Sequence, residues 1–193
     1  WNEYDKTLIS KGGGIFSRSA KSIAISPEMK RAFDINETKL TPNELISRLL
    51  RAPVDLLWNG GIGTFVKASE ETNIDVGDKV NDAVRINASE LRCRVIGEGG
   101  NLGITQQARV EYALCFGRVN CDFIDNAGGV DCSDHEVNIK ILLNEIVAAG
   151  DMTVKQRNKL LVDMTEDVAT QVLENNYRQV QAISLEQMRA VDA

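Results

Sequence analysis

The chain has 193 residues, of which 43% are hydrophobic and 26% are charged, a composition typical of a soluble globular protein with a real core. Its net charge of −6 argues against nucleic acid as a partner, because phosphates repel an acidic surface. No apolar stretch approaches the roughly 20 residues that cross a bilayer and no signal segment opens the sequence, so we expect a cytoplasmic protein without membrane contact.

The first 36 residues show little hydrophobic periodicity and predict loops with short turns. Within them, Lys11-Gly12-Gly13-Gly14 and the nearby Arg18 allow two interpretations. Bare backbone N–H groups beside cationic side chains suit a bound phosphate. Because no Gly-Lys-Ser/Thr ending follows, the same glycines also suit a flexible connection. The abrupt start at Trp1 indicates a fragment of a longer polypeptide.

Residues 41–44, Thr-Pro-Asn-Glu, predict the start of a helix, because threonine caps it, proline suits the first turn and glutamate completes a capping box. The helix should end near Ala52, since Pro53 disfavours helical geometry in the residue before it. The apolar run 54–58 then predicts a buried parallel strand that ends at Asn59-Gly60-Gly61.

Residues 78–86 predict a helix, and residues 91–96 predict a second strand that leads into a glycine-rich loop over residues 97–103. Thr105 can cap the next helix, whose inward side is expected to carry Ala108, Tyr112 and Phe116. A third strand over residues 119–124 should end in a further loop, Asp125-Asn126-Ala127-Gly128-Gly129.

Two helices are predicted in the last third of the chain. Residues 133–136, Ser-Asp-His-Glu, form a candidate capping box for a helix that ends at Gly150. The side chains expected to face the protein interior are Val137, Ile141, Leu142 and Ile146. A final helix should run from Thr153 to about Gln181, with an apolar stripe of Val168, Val172 and Tyr177. The stripe suits ordinary packing, or docking onto other domains or a second subunit.

Alternating strands and helices, with a glycine-bearing loop after each strand, are typical of α/β proteins. We therefore expect a partial Rossmann-like doubly wound parallel sheet with a long C-terminal helical segment. Three parts are predicted: an irregular and helical lead-in over residues 1–52, the later part of a Rossmann-like domain over residues 53–150, and a helical segment over residues 151–193.

The three loops at the carboxyl ends of the predicted strands each carry an asparagine beside glycines. In open α/β sheets, ligands bind at this edge. Glycine lets the backbone approach a ligand, and an asparagine amide offers both a donor and an acceptor. Each loop alone can be only a turn, but the three together favour a shared site for a carboxamide or a ribose over a metal site.

Gly97, Gly99 and Gly103 also resemble a dinucleotide fingerprint, because they follow a strand and precede a helix. Their spacing is G-x-G-x-x-x-G instead of G-x-G-x-x-G. Under this interpretation the loop binds a pyrophosphate, and Asp122 or Asp125 binds a ribose. In the alternative, the loop contacts another part of the same cofactor.

The cysteines form no C-x-x-C pair and have only His135 as a companion, so we expect reduced, structural thiols and no metal site. His135 can titrate near neutral pH, but its place in the predicted capping box favours packing or solvent exposure over catalysis. The cysteines are Cys93, Cys115, Cys121 and Cys132.

Residues 55–69, 95–113 and 122–140 resemble bacterial NAD-specific glutamate dehydrogenases of the large-subunit class. Residues 11–23 and 76–85 resemble the same class, so the resemblance covers nearly the whole chain. A looser resemblance extends to the ordinary glutamate, leucine, phenylalanine and valine dehydrogenases, which carry EGAN and NAGGV in the second and third loops.

The resemblance implies an NAD site. Asn101, in Glu98-Gly99-Gly100-Asn101, should lie near the nicotinamide ribose, and Asn126 should hydrogen-bond the carboxamide. The segment Asn59-Gly60-Gly61 matches the end of a strand that passes along the cofactor, although the family usually has small apolar residues there. Ser133 matches a serine that contacts the side-chain carboxylate of glutamate, a role that competes with helix capping.

The reaction implied by the resemblance is oxidative deamination of L-glutamate to 2-oxoglutarate and ammonia, with NAD as the cofactor. The family's glycine-rich first turn with its ribose-binding acid, and its catalytic lysine and aspartate, have no counterpart in this sequence. No catalytic residue is therefore assigned, and the isolated chain is expected to be inactive. It would supply part of the cofactor site beside the remaining domains of a parent chain, within a homo-oligomer. The alternative is a noncatalytic interaction or regulatory module that keeps the sheet.

Overall fold

The structure is a computed structural model that describes residues 3–191. Its contacts divide the chain into two compact units, Trp1–Cys121 and Asp122–Ala193. The boundary falls inside the middle part of the three-part division predicted from the sequence, and that division stays a prediction. The start at Trp1, interpreted above as the mark of a fragment, lies outside the described residues.

The first unit contains seven short strands and four helices within the described residues. The strands are β1 (Ile23–Ala24), β2 (Lys39–Leu40), β3 (Leu56–Asn59), β4 (Val66–Lys67), β5 (Ile86–Asn87), β6 (Val95–Glu98) and β7 (Arg118–Val119). The helices are α1 (Pro27–Phe33), α2 (Pro42–Leu50), α3 (Asn73–Val76) and α4 (Gln106–Leu114). Short 3-10 helices are found at Lys6–Leu8, Lys79–Asn81 and Ala88–Glu90.

The main sheet is parallel, with strand order β3-β6-β7. Leu57 pairs with Ile96, and Ile96 pairs with Val119, so these side chains share one face and pack on the larger core. The alternate residues Leu56 and Val95 lie on the other face, which is exposed. This architecture, together with the long C-terminal helices, confirms the predicted α/β fold class.

A smaller core lies before the main sheet. The antiparallel pair of β1 and β2 packs with α1 and α2 through Ile23, Met29, Leu40 and Leu45. The prediction of loop throughout residues 1–36 was therefore wrong for β1 and α1. Local signals supported α1, because Ser26 caps it by accepting a hydrogen bond from the Met29 N–H at 3.1 Å.

The glycines at positions 12–14 pack against the start of α1. Gly12 has a φ of 82°, and a Cβ there would overlap the Glu28 side chain. The Ser26 hydroxyl donates to the Gly12 carbonyl at 2.6 Å, and Lys11 forms a surface ion pair with Glu28 at 3.8 Å. The segment is thus ordered by contacts within the protein, which argues against the flexible-connection interpretation, whereas phosphate binding stays a prediction.

The predicted helix starts at three threonines are confirmed. Thr41 and Thr153 form capping boxes with residues three positions later, and Thr105 accepts a hydrogen bond from the Ala108 N–H at 3.1 Å. Helix α4 buries Ala108 and Tyr112 as expected. Phe116 does not follow them, because α4 ends at Leu114 and Phe116 is 97% exposed with a φ of 68°.

The predicted helix over residues 78–86 was wrong. This stretch holds the 3-10 helix Lys79–Asn81 and the start of β5, which pairs in parallel with β4. Tertiary contacts explain the outcome: the buried Arg85 donates to the Thr64 carbonyl at 2.9 Å, and the Asp78 carboxylate accepts from the Thr64 N–H at 2.9 Å. These bonds tie the stretch to the residues before β4 and draw it away from helical geometry.

The second unit is helical throughout its secondary structure in the described residues. Its helices are α5 (Asp122–Asp125), α6 (Ala127–Ala149), α7 (Val154–Asp163) and α8 (Thr165–Val191). The predicted third strand over residues 119–124 was wrong beyond Val119, because Asp122 begins a helical turn in which its carbonyl accepts from the Asn126 N–H at 2.8 Å.

The predicted cap at Ser133 was wrong as well, since α6 begins six residues earlier and Ser133 lies in its interior. Of the residues expected to face inward, Val137, Ile141 and Leu142 are at least half exposed, and Leu143 is buried instead. The predicted final helix is divided between α7 and α8, which are separated by Met164. In α8, Val172 is buried as predicted, whereas Tyr177 is 69% exposed.

A span across a bilayer is excluded for the helices in the described part of the chain, since each is too short or too polar.

Candidate functional site

The loops that follow β3 and β6 meet at the carboxyl edge of the main sheet. Asn59 pairs with Glu98 in the sheet register, and the Asn59 carbonyl accepts a hydrogen bond from the Gly99 N–H at 2.8 Å. Beyond the strands, a Cβ at Gly100 would overlap the carbonyl oxygen of Gly61. The two backbones therefore touch only because position 100 is glycine. The structure thus brings together six of the predicted site residues, 59–61 and 99–101.

The exposed indole of Trp58 lies over the glycines of this edge. A Cβ at Gly97 would lie 2.5 Å from Cε3 of the indole, and a Cβ at Gly99 would lie 2.6 Å from Cζ2. A Cβ at Gly60 would lie 3.1 Å from the indole Nε1. Real Cβ contacts essentially never fall below 3.0 Å, so Gly97 and Gly99 are needed to accommodate the ring. This packing gives these glycines a structural role that the fingerprint interpretation did not consider.

The need for glycine at position 103 comes from a different side chain. A Cβ at this position would overlap the amide nitrogen of Asn59. That Nδ2 atom is buried and has no hydrogen-bond partner among the described residues. Asn59 also lines an apolar cavity of about 200 Å³ between α2 and the sheet, formed with Leu50, Leu57 and Phe65 among others. All four glycines of the loop are therefore matched to the segment Trp58–Gly61.

A buried ion pair stabilises the same loop where it leaves β6. The Glu98 side chain is fully buried, and its Oε2 accepts a hydrogen bond from Nε of Arg109 at 2.9 Å and forms an ion pair with Nη2 at 2.8 Å. Its Oε1 accepts from the Ile104 N–H at 3.0 Å. One carboxylate thus binds both the residue after the loop and the helix that follows, which fixes the loop between residues 98 and 104. Sequence reasoning missed Arg109, because nothing local marks it as the partner of Glu98.

The outer part of the loop is held from a second side. Leu102 has a φ of 54°, unusual for a residue other than glycine, and its carbonyl accepts from the Thr64 hydroxyl at 2.6 Å. Gly103 accepts from the Phe65 N–H at 2.8 Å. Asn101, which directly precedes these two anchored residues, is exposed. The loop therefore presents Asn101 to solvent on an ordered backbone.

Thr64 is in turn oriented by Asp78. The Asp78 carboxylate accepts from the Thr64 N–H and from the Asn81 amide, at 2.9 and 2.7 Å. Hydrogen bonds from Asn81 and then Thr64 hold the pKa of Asp78 below its ordinary value. This carboxylate also lies 3.6 Å from the buried Arg85 guanidinium. A continuous set of contacts thus runs from Asp78 through Thr64 to the loop.

Asn126 and Ser133 belong to the second unit. Asn126 directly precedes α6, and its carbonyl accepts from the N–H groups of Gly129 and Val130 at 3.0 and 2.9 Å. A Cβ at Gly129 would lie 2.6 Å from Oδ1 of Asn126, so the glycine makes room for that side chain. Ser133 lies seven residues further along, close to two full helical turns, which places both residues on the same side of α6. Ser133 is exposed.

His135 and Cys93 each contact neighbouring side chains or backbone within the protein. His135 lies 3.6 Å from Asp131 on the preceding turn of α6, and Asp131 also accepts from Asn175 of α8. All four cysteines are free. Burial raises the pKa of the Cys93 thiol, and burial also raises the pKa of Tyr112, whose hydroxyl donates to the Cys93 carbonyl at 3.0 Å.

The carboxyl edge can bind a flat polar ring more readily than it can perform acid–base chemistry. It carries two exposed residues, Asn101 and Trp58, and two touching backbones at Gly61 and Gly100. Its one fully buried carboxylate, Glu98, is occupied by Arg109. Nor do residues 3–191 contain a cluster of three side chains suited to a metal ion. These features suit contact with a flat polar ligand more than a hydrolytic or metal-dependent reaction.

Comparisons with known proteins identify a family and several relatives of the chain. Residues 1–186 match the family described as "Bacterial NAD-glutamate dehydrogenase, catalytic domain". The chain is 70% identical over 190 residues to an NAD-specific glutamate dehydrogenase of Pseudomonas aeruginosa, with 98% of the chain and 12% of that protein covered. For proteins of the same name, the identity is 64% over 188 residues in Halomonas elongata and 51% over 182 residues in Mycobacterium tuberculosis. These alignments cover 97% and 91% of the chain, and 12% and 11% of the two relatives.

Proposed function

Since the chain belongs to the family of the bacterial NAD-glutamate dehydrogenase catalytic domain, we propose that it forms part of an enzyme that oxidises L-glutamate with NAD. The chain spans about 12% of the length of the curated relatives that it matches. We therefore propose that it contributes only one part of the active site. The observation that carries the proposal is the contact between Gly61 and Gly100, which places two asparagine-bearing loops at one sheet edge.

The reaction converts L-glutamate and water into 2-oxoglutarate and ammonia, and NAD, when bound, accepts the hydride from the α-carbon. The contribution of this chain is to bind and orient. Asn101 contacts the nicotinamide ribose, and Asn126 hydrogen-bonds the carboxamide through its amide. The segments 59–61 and 99–100 shape the edge on which the cofactor lies. Holding the ring and the α-carbon in a fixed geometry lowers the barrier because it removes orientational freedom before reaction.

Ser133 is proposed to bind the substrate carboxylate. Its position in the interior of α6 leaves its hydroxyl unneeded as a cap, and its side chain is exposed. Its place on the same side of α6 as Asn126 would put substrate and cofactor contacts on one helix. A hydroxyl that donates to a carboxylate forms a charge-assisted hydrogen bond, which is stronger than a neutral one.

The proposal extends to the setting of the enzyme. We place it in the cytoplasm, acting on free L-glutamate and releasing 2-oxoglutarate, with the remaining domains of the parent chain supplying the acid–base groups. The parent enzyme is proposed to assemble as a homo-oligomer, and NAD is proposed as the cofactor of this chain because its relatives are named NAD-specific.

The test uses the full-length enzyme that contains this sequence. We expect it to reduce NAD with L-glutamate, and we expect Asn101→Ala and Asn126→Ala to raise the Kd for NAD, each by roughly tenfold for one lost hydrogen bond with an unpaired partner. Asn158→Ala, at an exposed asparagine of α7, is the matched control and should leave the Kd unchanged. Ser133→Ala should raise the KM for glutamate without changing the Kd for NAD.

Failure of the wild-type enzyme to reduce NAD with L-glutamate would reject the activity. Normal activity with an unchanged Kd for NAD in both the Asn101 and Asn126 variants would reject the site and leave the activity standing. In that case a noncatalytic role for this segment, such as binding another protein, becomes the better explanation.

A further inference from the structure

Trp58 is a large apolar side chain at the edge of the sheet that the family assignment does not explain. Its side chain lies on the exposed face of the sheet, and the residue is 57% exposed. The neighbouring Leu56 lies on the same face one pleat earlier and is 54% exposed. Only Trp58, however, reaches the carboxyl edge, where its indole contacts the loops on both sides.

The backbone around the indole is shaped for a flat ring. Positions 60, 97 and 99 are glycines, and a Cβ atom at any of them would lie within 2.5 to 3.1 Å of atoms of the ring. One face of the indole is therefore seated on the β6 backbone, and the other face is the exposed one. A tryptophan that served only to fill space would be expected beneath other side chains, since burial is what stabilises an apolar ring.

The position of the indole N–H is also defined by the neighbouring glycines. Its Nε1 atom lies between Gly60 and Gly99, at the junction of the two loops, and residues 3–191 provide no hydrogen-bond acceptor for it. The nearest acidic side chain in the strand register, Glu98, is directed into the core and paired with Arg109. Trp58 thus brings an exposed aromatic side chain with one N–H donor to the junction of the two loops.

We propose that Trp58 forms the aromatic wall against which the nicotinamide ring of NAD packs, so that this residue favours the oxidised cofactor over the reduced one. The inference rests on the proposed function. The oxidised ring is a cationic pyridinium, and the reduced ring is neutral. Tryptophan is the best cation–π partner among the aromatic side chains, so the attraction acts on NAD+ and is largely absent for NADH.

The experiment measures the Kd of NAD+ and of NADH for the full-length enzyme by titration calorimetry in the wild type and three variants. Trp58→Leu removes the aromatic face, and Trp58→Phe keeps an aromatic face without the N–H. Leu56→Ala is the matched control, because it trims an equally exposed residue on the same face of β3 that does not reach the edge.

We expect Trp58→Leu to raise the Kd of NAD+ by roughly three- to thirtyfold and to change the Kd of NADH much less. Trp58→Phe should retain most of the preference for NAD+, and Leu56→Ala should change neither constant. In the wild type, bound NADH should also quench tryptophan fluorescence, and Trp58→Phe should reduce that quenching.

Equal changes in the two constants for Trp58→Leu would overturn the inference, because a structural role weakens both cofactor forms alike. A loss of binding in Leu56→Ala as large as in Trp58→Leu would also overturn it, and would mark the whole exposed face as a packing surface for another part of the enzyme. The proposed function is judged separately: it stands if Asn101→Ala weakens NAD binding while Trp58→Leu leaves the ratio of the two constants unchanged.

Discussion

Replacing Arg109 with methionine isolates the contribution of the buried ion pair to the Asn101 loop. Methionine keeps much of the length of the arginine stem but leaves the Glu98 carboxylate buried without its cation. Removing one partner of a buried pair costs about 3–5 kcal/mol, because the remaining charge stays desolvated. The side chains of Glu98 and Arg109 are 0% and 7% exposed, so solvent cannot offset this cost without local opening.

Hydrogen exchange followed by mass spectrometry measures this effect locally, even in a long multidomain enzyme. The amide to monitor is that of Ile104, which donates to Glu98. At about 1.4 kcal/mol per tenfold change, Arg109→Met should speed exchange in the peptide covering residues 95–105 by more than 100-fold, or to the unprotected rate. The double variant Glu98→Gln with Arg109→Met removes both charges and should restore much of the protection.

The reasoning would be refuted if exchange in the Arg109→Met variant rose by less than about fivefold, because the pair would then be no stronger than an exposed one. A second check follows from protonation. A lone buried carboxylate takes up a proton more readily, so the difference between Arg109→Met and the wild type should shrink as the pH is lowered towards 5.

Three further results are expected. Gly97→Ala should destabilise the first unit because its Cβ would lie 2.5 Å from the Trp58 ring, and the cost should be smaller when Trp58 is replaced by leucine; equal costs in both backgrounds would contradict the proposed clash. Cys93 should resist iodoacetamide at pH 7 in the folded enzyme and react after denaturation, since burial raises its pKa, whereas rapid native labelling would show that the core is open there. The lowered pKa of Asp78 means that its stabilising effect is present above its unfolded pKa of about 3.9 and is lost as the pH falls through its lower folded value. Asp78→Asn should therefore increase proteolysis near Thr64 at pH 7, and the gap from the wild type should close at strongly acidic pH; a gap independent of pH would contradict this.

Local chemistry made some of the fold predictable. Thr41, Thr105 and Thr153 cap helices through hydrogen bonds to residues three positions later, so the signal and its effect lie within one turn. The strand β3 was found because it is an apolar run that ends at glycines, and the strand predicted over residues 91–96, before a glycine-rich loop, overlaps β6. In each case, the residues that decide the structure are neighbours in sequence.

The errors occurred where distant residues decide the outcome. Residues 78–86 were predicted to form a helix, but Arg85 and Asp78 hydrogen-bond to the Thr64 backbone instead. The glycines after Asn126 suggested a loop, yet they lie in the first turn of α6, where Gly129 leaves space for the Asn126 side chain. Propensity alone cannot reveal either outcome, because tertiary contacts override it.

In the candidate site, too, the sequence revealed what neighbouring residues decide and not what distant residues decide. The asparagines and glycines of the two loops could be singled out from the sequence, because such residues suit a ligand at a strand end. The reason for the glycines could not be seen, since Trp58 and Gly97 are 39 positions apart and become neighbours only through the pairing of β3 with β6. For the same reason, the sequence identified Glu98 but did not identify Arg109 as its partner.

The left-handed backbone at Leu102 bears on how the loop responds when a ligand arrives. A leucine in this conformation carries local strain that the Thr64 hydroxyl and the Glu98–Arg109 pair hold in place. A flexible loop would lose conformational freedom when it binds a ligand. This loop is already restricted to one conformation in the free protein. Recognition at Asn101 should therefore involve little entropic penalty from the protein and resemble docking onto a rigid surface, with small structural change between the free and occupied forms.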